Sequence, residues 1–502
     1  MARGERYEQA ARRIAGYLAA RQGEDGSFPG PDHYGVAFSL WLWLHFPDEF
    51  GAQAERAWRR LQNAPPQEHG EFNAYALLHC RERLGAAIVD EVLRRIPFGR
   101  RHSANWMLLR AACAAMPGPY GSRLLSGLEG RVALLCHKRG CFIHDRPKVR
   151  SFAYHAFCGA LLADIWQARG AKWAGVAAAR AAGAIAPFIL PNGDALYVGR
   201  GQEQIFGYGA LLYLLESAAQ LTGRPEFATQ AERVLDFLLH FQRPDGSFPL
   251  VLLAGEPEEP WQPDASRPGW HTYNRYADYL PFLACFLLKA ANPDLRPVGR
   301  LGEGRRHLWL EVVKKDRYVA VLSAPGGATT NDLAFPYVCV DTESLFPCYG
   351  GEGARVKPEA MPLPFGIVRG GQPYSFREHL TYRLRGADLI GVSPLVRHER
   401  HFVFGEKGFS CHDDITFRGR ASFTSFVPAN FLFRNLRPSG EGDFETWLGN
   451  VKARLRLVPE GRSFPAACTT ASGVLAALRC TRGAFDARPG ETISTELRVW
   501  FV

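Results

Sequence analysis

The chain has 502 residues and a net charge of +10, from 60 basic against 50 acidic side chains, with 47% hydrophobic and 22% charged residues. That length carries about two to four domains and can bury a large core without disulfide or metal staples, and the composition excludes a disordered or collagen-like chain. The longest apolar run, 36–46, is interrupted by His45 and falls short of the roughly 20 residues of a membrane-spanning helix, so no membrane span is expected.

The first three-fifths of the chain predicts helices. Segments 10–20, 52–62, 74–84, 103–115, 154–169, 206–221 and 226–241 carry apolar residues at three- and four-residue spacing. Short glycine-containing loops lie between them, and one recurs almost verbatim: Gln22-Gly23-Glu24-Asp25-Gly26-Ser27-Phe28-Pro29 returns as Gln242-Arg243-Pro244-Asp245-Gly246-Ser247-Phe248-Pro249. Weaker echoes are His69-Gly70-Glu71-Phe72, Arg139-Gly140-Cys141-Phe142 and Pro191-Asn192-Gly193-Asp194. Recurrence at the length of a helical hairpin means hairpins that bury their faces against neighbours. The two best matches sit at opposite ends of the helical region, as they would where a ring closes. An α/α toroid, an incomplete barrel of helical hairpins, is therefore favoured over an open solenoid.

Near 293–304 the text turns Pro-, Gly- and Arg-rich without periodicity. Beyond it, 307–313, 318–322, 453–458 and 495–502 alternate apolar and polar residues, the period of strands in an antiparallel β-sandwich. The expected order is a toroid over 1–295, a linker over 296–305 and a sandwich over 306–502.

The positive charge favours an anionic partner. The basic residues are scattered arginines without a nucleic-acid motif, so an acidic poly- or oligosaccharide fits and nucleic acid does not. Eleven cysteines, an odd number lying mostly in apolar text, read as free buried thiols of a reducing compartment. Cys136 and Cys141, near His137 and His144, lack a second ligand pair for zinc. Residues 1–6 lead into an amphipathic helix rather than an apolar leader segment, which places the chain in the cytoplasm, or in the periplasm or outside the cell if a leader has been removed.

Polar and aromatic residues concentrate at four loop-to-helix junctions. They are Arg100 to Trp106 with Arg101, His102 and Asn105; Phe142 to Phe157 with Tyr154 and His155; Asn192 to Tyr208 with Arg200, Gln202 and Tyr208; and Trp270 to Tyr279 with His271, Tyr273 and Tyr276. In a toroid such junctions can meet at one mouth. The set lacks the carboxylate pair of a glycoside hydrolase, and it suits β-elimination from a uronate. That reaction removes a barely acidic C5 proton, so the adjacent carboxylate has to be neutralised by an amide or an arginine. A base takes the proton, and Tyr or His protonates the departing O4. Arg200 stands between Gly199 and Gly201, an arrangement that admits close approach of a ligand.

Asn105-Trp106 at a helix start, followed by a Gly-aromatic loop into Tyr154-His155-Ala156-Phe157, resembles the heparinase II/III-like polysaccharide lyases and related alginate lyases, whose order of toroid and sandwich is similar. The resemblance implies that Asn105 neutralises the carboxylate, that Tyr154 is the acid and in some members also the base, and that His155 assists. It implies a further base histidine, for which His102, His271 and His412 are candidates. With Arg200 the catalytic set is Tyr154, His155, Asn105 and Arg200, and His102, Arg101, Gln202, Tyr208, His271, Tyr273 and Tyr276 are expected to bind substrate. No cofactor is expected to be required, and a structural divalent cation is compatible with the reading. A uronyl C5-epimerase and a non-catalytic glycan-binding protein are the alternatives. In the sandwich region, His398 and His401 lie three apart on a strand and so face opposite sides, which argues against a shared metal; Cys411-His412-Asp413-Asp414 reads as a turn.

Overall fold

A computed structural model describes residues 2–30, 33–147, 149–253, 275–299, 309–326, 332–345, 359, 361–459, 463–470 and 473–502. Twelve helices fill the first part: α1 Arg3–Ala19, α2 Gly35–His45, α3 Pro47–Asn63, α4 Gly70–Leu84, α5 Ala86–Arg94, α6 Ala104–Ala115, α7 Arg123–His137, α8 Phe152–Arg169, α9 Lys172–Ile185, α10 Ile205–Thr222, α11 Pro225–His240 and α12 Tyr276–Ala291. None is long and apolar enough to cross a membrane.

The even-numbered helices form an inner ring in which α2, α4, α6, α8, α10 and α12 pack in succession and α12 returns to α2. Each odd-numbered helix packs outside an inner one, with α1 against α12. The hairpins thus close into a full circuit, which goes further than the incomplete barrel expected from the sequence. The inner helices are buried nearly all round, as α2 and α10 illustrate; the outer ones bury a single stripe, as α3 does with Ala54, Ala57 and Leu61. The repeated loops have one job. Gly26, Gly193 and Gly246 are in the left-handed region, and a Cβ on them would lie 2.5, 2.1 and 2.3 Å from the carbonyl oxygens of Arg56, Arg233 and Arg13. Each loop therefore presses its turn onto a neighbouring outer helix at a distance only glycine permits. The bore is plugged by stacked aromatics such as Phe282 and Phe286 and by Lys289 paired with Asp164, which also accepts from the Tyr75 and Tyr213 hydroxyls.

After a short hairpin of β1 Lys138–Arg139 and β2 Phe142–Ile143, the strands fall in the last part of the chain. β3 Leu310–Lys314, β4 Tyr318–Ser323, β5 Tyr337–Val340 and β6 Glu343–Ser344 form one antiparallel sheet. Its alternation serves two cores: Val321, Tyr337 and Cys339 join the toroid core, while Ala320, Leu322, Val338 and Val340 join the sandwich core. Then follow β7 Phe365–Val368, β8 Pro373–Ser375, β9 Thr381–Arg385, β10 Asp388–Val392, β11 Val396–Gly405, β12 Gly408–Phe417, β13 Ala421–Phe433, β14 Arg437–Pro438, β15 Asp443–Leu448, β16 Val451–Pro459, β17 Ser463–Thr470, β18 Gly473–Arg482, β19 Phe485–Ala487 and β20 Thr492–Phe501. An eight-stranded sheet runs β14-β15-β16-β20-β12-β11-β10-β9, and a six-stranded one contains β17-β18-β13-β7-β8 with β19 on β13. Between helix α12 and strand β3, the backbone of the linker segment is tied to the toroid: Val298 N–H donates to the Leu221 carbonyl at 2.8 Å.

Residues 411–414 are not the expected turn: they lie inside β12, paired with β11 on one side and β20 on the other. His398 points inward, fully buried between the Tyr382 hydroxyl (2.7 Å) and Asp413 (3.0 Å), while His401 faces outward opposite His412. Burial lowers the His398 pKa, and Arg400, bonded to both oxygens of Asp413, holds that carboxyl far below its ordinary value.

Candidate functional site

All six inner helices begin at the same end of the ring, and their first turns line a cleft of about 670 Å³ counted out to its open mouth. α2 contributes His33 and Tyr34 at its approach; α4, His69 and Phe72; α6, Arg101, Ser103, Asn105 and Trp106; α8, Tyr154; α10, Arg200 and Phe206; and α12, Tyr279. Each helix N-terminus carries roughly half a positive charge, so the architecture itself makes this mouth attractive to anions before any side chain is counted.

Asn105 is at the second position of α6, whose N-cap is Ser103, so its side chain does not cap the helix. Ser103 donates its hydroxyl hydrogen to Asn105 Oδ1 at 2.6 Å, which leaves the amide N–H pair for the cleft. Asp145, fully buried, keys two elements of the site together. Its backbone carbonyl accepts the first N–H of α6 at 2.8 Å, and its Oδ2 accepts from Arg200 Nη1 at 2.5 Å. The Arg200 guanidinium lies 4.9 Å over the Tyr154 ring, and Tyr154, at the third position of α8, also packs edge-on to Phe206. Ser151 caps α8 by accepting from Tyr154 N–H at 3.0 Å while donating its own hydrogen to the Arg200 carbonyl. Arg101 stacks at 4.5 Å on Trp106, and Arg146 joins the lining; both are exposed.

Two histidines absent from the sequence-derived set complete the cleft. The rings of His33 and His69 are 4.3 Å apart. Their backbones are pinned by one buried amide, Asn73 Nδ2, which donates to the carbonyls of His33 (2.8 Å), His69 (3.1 Å) and Glu68 (3.2 Å). The approach to α2 is held from the adjoining inner helix α12, where Asp278 Oδ1 accepts the N–H groups of His33, Tyr34 and Gly35 at 2.9 to 3.0 Å. Burial, aided by the neighbouring His33, Arg101 and Arg275, brings the His69 pKa down to about 3, and burial lowers His33 as well. Both imidazoles are therefore neutral near pH 7. Tyr34 and Tyr279 are pushed upward by burial and keep their phenolic hydrogens.

His33, Glu68 and His69 also bring ligand atoms within 4.8 Å of one another, a set that could hold a transition metal. Arg101, Arg275 and two helix N-termini face the same point, however, and a dication would meet that positive field. No Asp or Glu belongs to the cleft lining among the described residues.

The structure thus brings together Asn105, Tyr154, Arg200 and Arg101, and sets other expected residues elsewhere. His155 is fully buried and turned away from the mouth: its Nδ1 accepts from Ile143 N–H at 3.0 Å and its Nε2 lies 2.9 Å from the Ala181 carbonyl, so it fastens α8 to β2 and α9. Gln202 is buried with its amide on the Tyr197 carbonyl. Tyr208 is buried with its hydroxyl on Glu203 and Asp194. Tyr276 packs on Tyr17 and accepts from Arg243 at 3.0 Å, at the seam with an outer helix. His102 is exposed and not part of the lining, and His412 lies on the outer face of β12 beside Asp414. His271 and Tyr273 lie outside the described residues. The glycines flanking Arg200 serve the backbone rather than a ligand: a Cβ on Gly199 would fall 2.2 Å from the Arg150 carbonyl oxygen, and one on Gly201 would crowd the Tyr154 ring at 3.3 Å. The signal that would have found His33 and His69 is positional, since they stand two residues and one residue before the inner helices α2 and α4.

No protein-family profile matches the chain, and no curated protein matches its sequence. Among solved structures it is similar to heparinase III, at 10% identity and a TM-score of 0.40 over 99% of this chain and 85% of that one. It is also similar to a cellobiose 2-epimerase from Bacillus thermoamylovorans, at 12% and 0.42 over 55% and 95%, and to a glycosyl hydrolase of family 88 from Bacteroides vulgatus, at 11% and 0.42 over 57% and 98%. With identities this low, the chemistry has to be read from the side chains.

Proposed function

We propose that the protein is a glycan-processing enzyme, a lyase that cleaves a uronate-containing acidic poly- or oligosaccharide by β-elimination. The observation that carries this reading is the convergence of the Asn105 amide, Arg200, Tyr154 and two neutral imidazoles in one electropositive cleft whose described lining has no carboxylate. A uronate carboxylate is drawn in by the helix ends and by Arg101 and Arg146. Against it, the Asn105 N–H pair and the Arg200 guanidinium stabilise the charge that develops when the C5–H bond breaks. The proton goes to a neutral imidazole, for which His69 is the lead candidate, or to the phenolate oxygen of Tyr154 once that residue has given up its own proton. The C5–H electrons form the C4=C5 double bond, the C4–O4 bond breaks, and Tyr154 supplies a proton to O4. A hydrolase would need a carboxylic acid and a carboxylate flanking the bond.

Incubation with a panel of acidic polysaccharides should release oligosaccharides bearing the ultraviolet chromophore of an unsaturated uronate. New reducing ends without that chromophore would refute the elimination and point to hydrolysis. Deuterium incorporation at C5 without cleavage would identify an epimerase, which shares the first step and reprotonates the carbon from the other face.

A further inference from the structure

A second polar cluster lies behind the cleft, where the toroid meets the sandwich. Asp194 and Glu203 are both fully buried there, and the Tyr208 hydroxyl lies within hydrogen-bond reach of both carboxyl groups. Asp194 Oδ2 accepts from the Tyr337 hydroxyl of β5 at 2.8 Å and from the Ser344 hydroxyl of β6 at 2.7 Å. Tyr208 of α10 donates to Glu203 Oε2. Among the described residues no donor is directed at Glu203 Oε1. Two buried carboxyl groups gathered around one hydroxyl cannot both stay ionised, and Asp194 already has its donors, so the hydrogen belongs on Glu203 Oε1. The remaining groups facing the pair are the Tyr197 phenol, stacked at 4.4 Å on Tyr337; Cys339 of β5; and the Arg434 guanidinium, whose Nη1 donates to the Leu253 carbonyl.

Glu203 is three residues after Arg200, in a segment where Gly199, Gly201 and Glu203 itself all have positive φ. A left-handed glutamate is costly and persists only when its surroundings fix it. Its N–H donates to the Leu196 carbonyl at 2.9 Å and its carbonyl accepts from Leu252 N–H at 2.8 Å. We infer that Glu203 is a positioning residue: protonated, and donating to an Asp194 carboxylate clamped by the sandwich, it locks the Arg200 segment in its working conformation, and loss of that proton releases the segment. The sandwich thereby takes part in forming the cleft, and alkaline pH switches the site off. Burial and the Asp194 charge both favour the protonated form.

The sign follows from linkage. The folded chain retains this proton where the unfolded chain has lost it, so stability falls as pH rises from the ordinary glutamate value, 4.5, toward the raised folded value. Glu203→Gln places an amide N–H where the acid hydrogen was and removes the titration. Thermal melting of the intact chain should show that downward slope in the wild type and lose it in Glu203→Gln. On the lyase reading, wild-type kcat for the best acidic polysaccharide should fall about tenfold, the worth of one charge-assisted contact, in a single-proton alkaline step that Glu203→Gln lacks, with KM less affected. An unchanged slope and an unchanged alkaline step in Glu203→Gln would overturn the inference. Should the variant not fold, hydrogen exchange of wild-type amides 199–204 decides: loss of protection in a one-proton step below global unfolding supports the lock, and constant protection refutes it. Melting and exchange need no substrate, so failure of the lyase reading would appear separately, as absence of turnover at every pH.

Discussion

Asn105 and Ser103 form a pair whose substitutions separate chemistry from helix capping. The hydroxyl of Ser103 is spent on Asn105 Oδ1 rather than on a backbone N–H of α6, and the first N–H of that helix is bonded to the Asp145 carbonyl. Asn105→Ala should therefore leave the melting temperature close to wild type. It removes one preorganised donor from the developing dianion, and donors so placed contribute about 3 kcal/mol, or 10²- to 10³-fold in kcat, with KM little changed. Ser103→Ala removes no group that touches substrate; it frees the amide to rotate, at the loss of one neutral hydrogen bond of about 1 kcal/mol, hence roughly fivefold in kcat. Because Ser103 acts through Asn105, the double variant should be no slower than Asn105→Ala alone, a coupling readable from a double-mutant cycle. Asn105→Asp should be worse than alanine near neutrality, since it sets a like charge against the uronate, and should recover partly as acid protonates it. Initial rates of unsaturated-uronate formation across substrate concentration, with melting curves for each variant, supply every number. If Ser103→Ala costs as much in the Asn105→Ala background as in the wild type, or if Asn105→Ala changes only KM, the assignment of Asn105 to the transition state is wrong.

Tyr154→Phe should keep the ring contacts with Phe206 and Arg200 and lower kcat by about 10²- to 10⁴-fold with KM nearly constant; a near-normal rate in the folded variant would remove Tyr154 from the proton path. Arg101→Ala should raise KM and flatten its salt dependence without changing the melting temperature, because Arg101 is exposed and rests on Trp106. Arg200→Ala, by contrast, strands the buried Asp145 carboxylate, so melting should fall together with activity, and equal melting of the two variants would contradict this difference. His69 titrates near 3 rather than 6.5, so its share of stability is present above 6.5 and is lost as pH falls toward 3. Activity should accordingly persist below the usual histidine range, and His69→Gln should flatten the acid slope of the melting curve.

How far the site could be read from the sequence depends on which inner helices show their start in the text. Among the outer helices α11 is recovered nearly to its ends, α1 and α3 lack their opening turns and α5, α7 and α9 are not found, whereas the inner helices α6, α8 and α10 are recovered to within two residues at each end. Helix α2 is apolar over nearly its whole length and buried on most of its surface, and a period vanishes when every face is buried. With α2 left unassigned, His33 and Tyr34 stood before no recognised helix start. Where an inner helix was recognised, its opening residues could be assigned to the mouth, and Asn105, Tyr154 and Arg101 do line it. What the linear order could not resolve was direction. His155 follows Tyr154 by about 100° of helical turn, enough to carry its ring from the cleft to the α9 side. Gln202 and Tyr208 come just after Arg200, yet the intervening left-handed residues turn that strip of chain from the cleft toward the sandwich. The same turn that removes them from the substrate puts Glu203 against Asp194, and so makes the second domain answerable for where Arg200 stands.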